Sequence, residues 1–235
     1  MNKDIFKQLE GQLVVSCQAD TGSPLDKPIH ISALAEAAIS GGASGIRIQG
    51  VENILAVRRT LTAPLIGLIK RHATPTDIYI TPAITDVQAV ANAGADMIAF
   101  DATNRPRPQP VSDMIDAIHA AGKLAMADVS TAEEGIAAHD SGADIISTTM
   151  AGYTSYSRKT AGPDFALMLD LAKHRIPFAA EGRIWTLEEA QRCFDLGSSF
   201  IVVGGAITRP DAITRRFVQH ITVDQSQSSF QRKTS

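Results

Sequence analysis

Four times along the chain a glycine stands between an amphipathic stretch and an apolar run. The junctions are Gly42-Ala43-Ser44-Gly45-Ile46, Gly94-Ala95-Asp96-Met97-Ile98, Gly142-Ala143-Asp144-Ile145-Ile146 and Gly197-Ser198-Ser199-Phe200-Ile201. Glycine at such a point takes the left-handed conformation that ends a helix before the chain turns into a strand. Apolar runs fall at 13–18, 45–49, 65–70, 95–101, 124–128, 144–149, 177–181 and 199–204. Helical patterns fall between them at 32–41, 51–60, 85–93, 111–121, 131–141, 164–174 and 186–196, and a last one begins near Pro210. Parallel strands need helical crossovers, so eight such units read as a (β/α)8 barrel of the α/β class. A doubly wound open sheet is the alternative that the same alternation allows. A further short run, Ile78-Tyr79-Ile80, reads as an excursion within a loop.

At 235 residues the chain suits one α/β domain, assigned to 1–225, with 226–235 read as a polar, disordered C-terminal tail. The net charge of −3 gives no general basic bias, so neither nucleic acid nor a membrane surface is an expected partner. Cys17 and Cys193 lie in no CxxC or Cys/His cluster, which argues against disulfide frameworks and zinc sites. The six histidines are scattered, and only His72 falls near the predicted mouth, so no metal is expected. The start, Met1-Asn2-Lys3-Asp4-Ile5-Phe6-Lys7, lacks an apolar signal core, and no apolar stretch approaches the ~18–20 residues of a membrane span. The expected location is the cytoplasm.

Leu65-Ile66-Gly67-Leu68-Ile69-Lys70 ends in its only charge. An apolar setting favours the neutral amine, which is how a lysine becomes a base or a Schiff-base nucleophile near neutral pH. Strand side chains alternate faces, so parity selects the inward set. Gln18 shares a face with Ser16 and Val14, Arg47 with Gln49, Lys70 with Leu68 and Ile66, Asp128 with Met126, and Glu181 with Ala179. These groups converge on the mouth where barrel enzymes place their chemistry. Each also has a plainer reading. Gln18 and Asp101 can cap loops, Arg47 and Asp128 can form a structural ion pair, Lys70 can reach past the rim to water, and Glu181 can be a surface carboxylate. Cys17 faces the helices and reads as a small core residue.

Two glycine-bearing loops follow the last strands: Glu181-Gly182-Arg183 and Gly204-Gly205-Ala206-Ile207-Thr208-Arg209-Pro210. Loops at these places form the usual phosphate pocket of the architecture, with backbone amides and an arginine as donors. Tight turn geometry alone is the competing explanation.

The motifs together are specific. Val15-Ser16-Cys17-Gln18-Ala19, Gly45-Ile46-Arg47, Gly67-Leu68-Ile69-Lys70-Arg71, Ile80-Thr81-Pro82 and Asp101-Ala102-Thr103-Asn104-Arg105-Pro106-Arg107-Pro108 occur in order. They are followed by Met126-Ala127-Asp128-Val129-Ser130-Thr131, Ser147-Thr148-Thr149-Met150-Ala151-Gly152-Tyr153-Thr154, Ala180-Glu181-Gly182-Arg183 and Val203-Gly204-Gly205-Ala206-Ile207-Thr208-Arg209-Pro210. This series resembles the N-acetylmannosamine-6-phosphate 2-epimerase family from about Leu13 to Phe217. The resemblance implies a single-domain TIM barrel of the ribulose-phosphate-binding type. It implies interconversion of N-acetyl-D-mannosamine 6-phosphate and N-acetyl-D-glucosamine 6-phosphate in sialic acid and amino-sugar catabolism, without metal or organic cofactor, by a homodimer. Carried over, Lys70 is the catalytic lysine and Glu181 its acidic partner. Gln18, Arg47 and Asp128 resemble sugar-binding positions, and Gly182, Arg183, Gly204, Gly205 and Arg209 resemble the phosphate site.

Two positions depart from the family pattern. Gln49 stands where an asparagine is common, and His72 where an aspartate is common. The residues themselves point to proton abstraction beside a carbonyl, with Lys70 taking the C2 proton of an open-chain sugar and Glu181 moving a proton at an oxygen. A Schiff-base aldolase would use the same lysine and the same phosphate loops. A phosphate-ligand sensor on a barrel scaffold is the non-enzymatic alternative, and the acidic balance opposes its RNA-binding form.

Overall fold

Strands and helices alternate along the chain in the computed structural model, which describes residues 2–72 and 75–231. Helix α1 (Asn2–Leu9) precedes β1 (Leu13–Cys17), α2 (Pro28–Ser40), β2 (Gly45–Gln49), α3 (Val51–Arg58), β3 (Leu65–Leu68), α4 (Ile84–Asn92) and β4 (Met97–Asp101). Then come α5 (Val111–Ala120), β5 (Leu124–Asp128), α6 (Ala132–Asp140), β6 (Ile145–Ser147), α7 (Phe165–Lys173), β7 (Phe178–Glu181) and α8 (Leu187–Asp195). The chain continues through β8 (Phe200–Val203), α9 (Gly205–Thr208) and α10 (Pro210–Gln231). Each strand pairs in parallel with the next, and β8 returns to β1 with Val14 opposite Val202. The sheet is closed. It is a (β/α)8 barrel, and the open-sheet alternative is excluded.

The junction glycines do what their positions require. Gly42, Gly94, Gly142 and Gly197 all have φ between 94° and 104°, a region that L side chains avoid. At the helix starts, Thr131 and Thr186 each accept from the amide three residues on. Glu134 and Glu189 reach back to close the capping boxes.

Strand parity divides the core in two. Val14, Ile66, Leu68, Met97, Ala99, Met126, Ala179, Phe200 and Val202 fill the barrel interior. Cys17, Ile46, Ile48, Ile98, Phe100, Ala127, Ile146 and Phe178 pack between sheet and helices. Gly67 faces outward, where an added Cβ would sit 2.6 Å from Val90 Cγ1 and 2.7 Å from the Ala95 Cβ. The sequence reading assigned no element before Leu13, yet α1 closes the lower end of the barrel. Its Leu9 is fully buried in the interior cluster, with Ile5 and Phe6 packed beside it. Gly45 makes room for it, since a Cβ there would lie 2.8 Å from Leu9 Cδ2.

Three boundaries differ from expectation. β3 stops at Leu68, and Lys70 pairs instead with Ile80 of the loop excursion in an isolated antiparallel bridge. β6 stops at Ser147 and gives way to a 3-10 turn, Thr148–Met150. Helix α10 runs on to Gln231, so 226–231 are helical where a loose tail was expected, and 232–235 lie outside the described residues. Among the described residues no helix is long and apolar enough to cross a membrane.

Candidate active site

The polar residues selected by parity meet at the carboxyl ends of the strands. A cavity of about 350 Å³ opens there, walled by Ser16, Gln18, Lys70, Tyr79, Thr149, Tyr153 and Glu181. Gly182, Arg183, Trp185, Gly204, Gly205, Thr208 and Arg209 complete the wall on the side of β7 and β8. Lys70 is exposed, and it lines the cavity. Its Nζ donates to Gln18 Oε1 at 2.7 Å, and Gln18 Nε2 donates onward to Ser16 Oγ at 2.9 Å. The antiparallel bridge to Ile80, continued by the Arg71 amide on Tyr79 O at 3.0 Å, fixes the turn that presents the lysine.

Beneath the cavity floor lies a buried charge cluster. Arg47 and Asp128 are 1% and 0% exposed, so neither forms part of the cavity wall. Arg47 Nη2 donates to Asp128 Oδ2 at 2.7 Å, and its Nη1 donates to Glu181 Oε2. Thr149 Oγ1 lies 2.9 Å from Asp128 Oδ1 and 3.0 Å from both Glu181 Oε2 and Arg47 Nη1. The structural ion pair and the functional group are therefore the same object: Arg47 ties down Asp128 and holds Glu181 against the floor.

One guanidinium cannot neutralise two buried carboxylates. Burial pushes the Glu181 carboxyl above the ordinary carboxylate range, Arg47 opposes the rise, and the Asp128 charge adds to it. Asp128 is likewise pushed up by burial and pulled down by Arg47. Lys70 is held below the usual lysine range, first by burial and then by repulsion from Arg47, with Glu181 and Asp128 pulling the other way. The ammonium faces an open cavity, so this lowering takes full effect once a ligand excludes water from it. The arrangement sets a lysine held below its usual range beside a carboxyl held above its own. Such opposed shifts mark acid–base pairs.

The glycine loops lie where the sequence placed them. Gly182 has φ +110°, and a Cβ on Gly204 or Gly205 would approach Ser16 Cβ or Trp185 Cζ2 to 3.2 Å. The two arginines are already engaged. Arg183 donates to Ala151 O at 2.8 Å, Gly162 O at 3.0 Å and Thr160 Oγ1 at 3.1 Å, and its guanidinium stacks 5.7 Å from the Tyr153 ring. It braces the loop after β6. Arg209 forks onto Asp20 at 3.0 and 2.6 Å and onto Asp211 at 3.0 and 2.9 Å.

Other expectations settle elsewhere. Asp101 accepts from the Thr103 amide at 3.0 Å and pairs with Arg105, so it organises its own loop. Gln49 and His72 are absent from the cavity wall, and His72 is exposed. Cys17 is a buried core residue. Among the described residues no group of three His, Cys, Asp or Glu side chains is placed to hold a metal. The sequence reading did not single out Thr149, Tyr79, Tyr153 or Trp185 as site residues. Thr149 was findable, standing two residues beyond the inward-facing Ser147. Tyr79 was not, because the path of its loop has no periodic signature.

The closed barrel, with opposed acid–base groups at its C-terminal mouth, defines a (β/α)8-barrel enzyme. A family model described as "Putative N-acetylmannosamine-6-phosphate epimerase" matches residues 31–223. A relative from Clostridium perfringens carrying the corresponding 2-epimerase name is 48% identical over 212 residues, covering 89% of this chain and 96% of its own. One from Clostridioides difficile with the same name is 44% identical over 223 residues, covering 94% of this chain and 100% of its own. Among solved structures, the N-acetylmannosamine-6-phosphate 2-epimerase from Clostridium perfringens superimposes with a TM-score of 0.90 at 46% identity, covering 92% of this chain and 95% of that one. The chain belongs to the N-acetylmannosamine-6-phosphate epimerase family.

Proposed function

We propose that the protein interconverts N-acetyl-D-mannosamine 6-phosphate and N-acetyl-D-glucosamine 6-phosphate by exchanging the proton at C2, a step of sialic acid and amino-sugar catabolism. The observation that carries this reading is the pairing of Lys70 with Glu181 across one cavity in a chain of this family. In the open-chain sugar, C2 lies beside the C1 aldehyde. Neutral Lys70 takes the C2 proton, and the C2–H electron pair becomes the C1–C2 double bond. The carbonyl pair meanwhile moves onto the C1 oxygen, which accepts the Glu181 proton. Lys70 releases that proton to solvent, a solvent-derived proton is delivered to the opposite face of C2, and return of the hydroxyl proton to Glu181 re-forms the aldehyde with C2 inverted. Gln18, bonded to Lys70 at 2.7 Å, aims the amine. Arg47 and Asp128 act from below, holding Glu181 in place and supplying the field that stabilises the developing charge.

The 6-phosphate sits against the amides of Gly182, Arg183, Gly204 and Gly205, a distant handle whose binding energy positions C2. Arg209 reaches it by exchanging its exposed partner Asp20 for a phosphate oxygen. The catalytic domain runs on through α10, past the boundary expected at 225, and the protein works in the cytoplasm as a homodimer. Exposed Phe217 and Ile221 on α10 supply apolar surface for a second copy, and light scattering at twice the chain mass tests that state.

Activity is tested by NMR of either sugar phosphate with purified protein. The expected result is approach to the same mixture from both sides. No conversion at saturating substrate would overturn the reading, and borohydride trapping on Lys70 would favour an aldolase instead.

A further inference from the structure

Thr149 Oγ1 stands at a crossing of four polar groups. Arg47 Nη1 lies at 3.0 Å, Asp128 Oδ1 at 2.9 Å, Glu181 Oε2 at 3.0 Å and Ser147 Oγ at 2.6 Å. A hydroxyl has two lone pairs and one proton. The guanidinium is donor only, so it takes one lone pair. Either hydroxyl of the Ser147–Thr149 pair can be the donor, and with Ser147 as donor the other lone pair is filled. The single Thr149 proton is then left to go to Asp128 or to Glu181, and it cannot serve both.

Resting on the epimerase reading above, we propose that Thr149 is a positioning residue whose hydroxyl proton turns between Asp128 and Glu181 as Glu181 gives up and regains its own. Before transfer, Glu181 carries its proton and the Thr149 hydroxyl donates to the Asp128 carboxylate. When Glu181 has protonated the C1 oxygen, it becomes a buried carboxylate whose side-chain donor is Arg47 alone, and Thr149 rotates to supply a second. No bond to carbon changes in this step, and no proton leaves the threonine. A newly charged buried carboxylate is held better by two donors than by one, so the rotation stabilises the intermediate at the moment of its formation.

The fold makes the position special. Ser147 is the residue opposite Asp128 in the β5–β6 register and opposite Ala179 in the β6–β7 register. The 3-10 turn after Ser147 then carries Thr149 inward between the ends of β5 and β7. Backbone bonds tie that turn down, for the Glu181 amide donates to Thr148 Oγ1 at 3.0 Å and Thr148 Oγ1 donates to Glu181 O at 2.8 Å. The hydroxyl can turn while its backbone stays fixed.

The experiment compares wild type, Thr149→Val and Thr149→Ser by steady-state kinetics across pH. Carbon-13 titration of the Glu181 carboxyl in the resting protein accompanies it. Donation from Thr149 lowers both carboxyls, so its loss moves the Glu181 titration and the matching limb of the pH–rate profile to higher pH. The expected kcat loss in Thr149→Val is roughly ten- to a hundredfold with KM little changed, and Thr149→Ser restores kcat and both titrations. Thr149→Ala carries the same expectation should the valine variant misfold. An unchanged kcat, or a lower kcat with an unmoved Glu181 titration, overturns the proposal. If wild type turns over neither sugar phosphate, the epimerase reading fails by itself, and the carbon-13 titration still decides whether Thr149 controls Glu181.

Discussion

Arg47→Met tests the charge cluster where its energetics are largest. Methionine fills much of the same volume but leaves Asp128 and Glu181 without their shared cation. Removing one partner of a buried pair costs about 3–5 kcal/mol because the remaining charge is uncompensated. Two carboxylates are stranded here, so the upper part of that range applies, about 4–5 kcal/mol at pH 8. For a chain of this length each kcal/mol is worth about 2–4 °C, giving a drop in Tm of about 8–20 °C.

The pH dependence has a definite sign. Both carboxyls titrate above their unfolded values, so the native state holds protons that the unfolded chain releases. That contribution is complete below about pH 4 and is lost as pH rises through the folded values. Arg47 pulls both values down. Without it the loss extends further toward neutral pH, and the deficit must grow between pH 5 and pH 8. Thermal unfolding followed by circular dichroism at both pH values is the assay. Adding Asp128→Asn and Glu181→Gln should recover most of the deficit at pH 8. A variant within about 2 °C of wild type at pH 8, or one equally destabilised at both pH values, would refute the reasoning.

Three further outcomes follow from the geometry. Gly67→Ala drives a methyl into Val90 and Ala95, and urea unfolding should record a loss of about 1–3 kcal/mol. Glu181→Gln keeps the shape and removes the transferable proton. The expected kcat loss is ~10²–10⁴-fold with the disappearance of one limb of the pH–rate profile. Cys17 and Cys193 are fully buried, with burial pushing both thiols up to about 12, so a thiol reagent should label neither in the native protein and both after denaturation.

The barrel was legible because its signals are local and repeated. Gly42, Gly94, Gly142 and Gly197 mark the junctions, and period-two alternation assigned Arg47, Asp128 and Lys70 to the interior. Helix α1 was not legible: what it does depends on the vacancy at Gly45, on the neighbouring strand but about 35 residues further along the chain. The same limit applies at the site. Parity pointed Arg47 and Asp128 inward, but depth along the strand decides between wall and floor, and both lie on the buried floor. The arginines teach a related lesson. Their charge was evident in the sequence, whereas the partners that occupy it, Asp20 for Arg209 and three loop oxygens for Arg183, come from distant segments.

The central claim is that Lys70 removes the C2 proton. The most direct test is proton NMR of N-acetylmannosamine 6-phosphate in D₂O with wild type and with Lys70→Ala. Wild type is expected to yield N-acetylglucosamine 6-phosphate carrying deuterium at C2, and Lys70→Ala to leave the C2 hydrogen in place while still binding the sugar phosphate. Deuterium entering C2 at an undiminished rate in Lys70→Ala would contradict the claim.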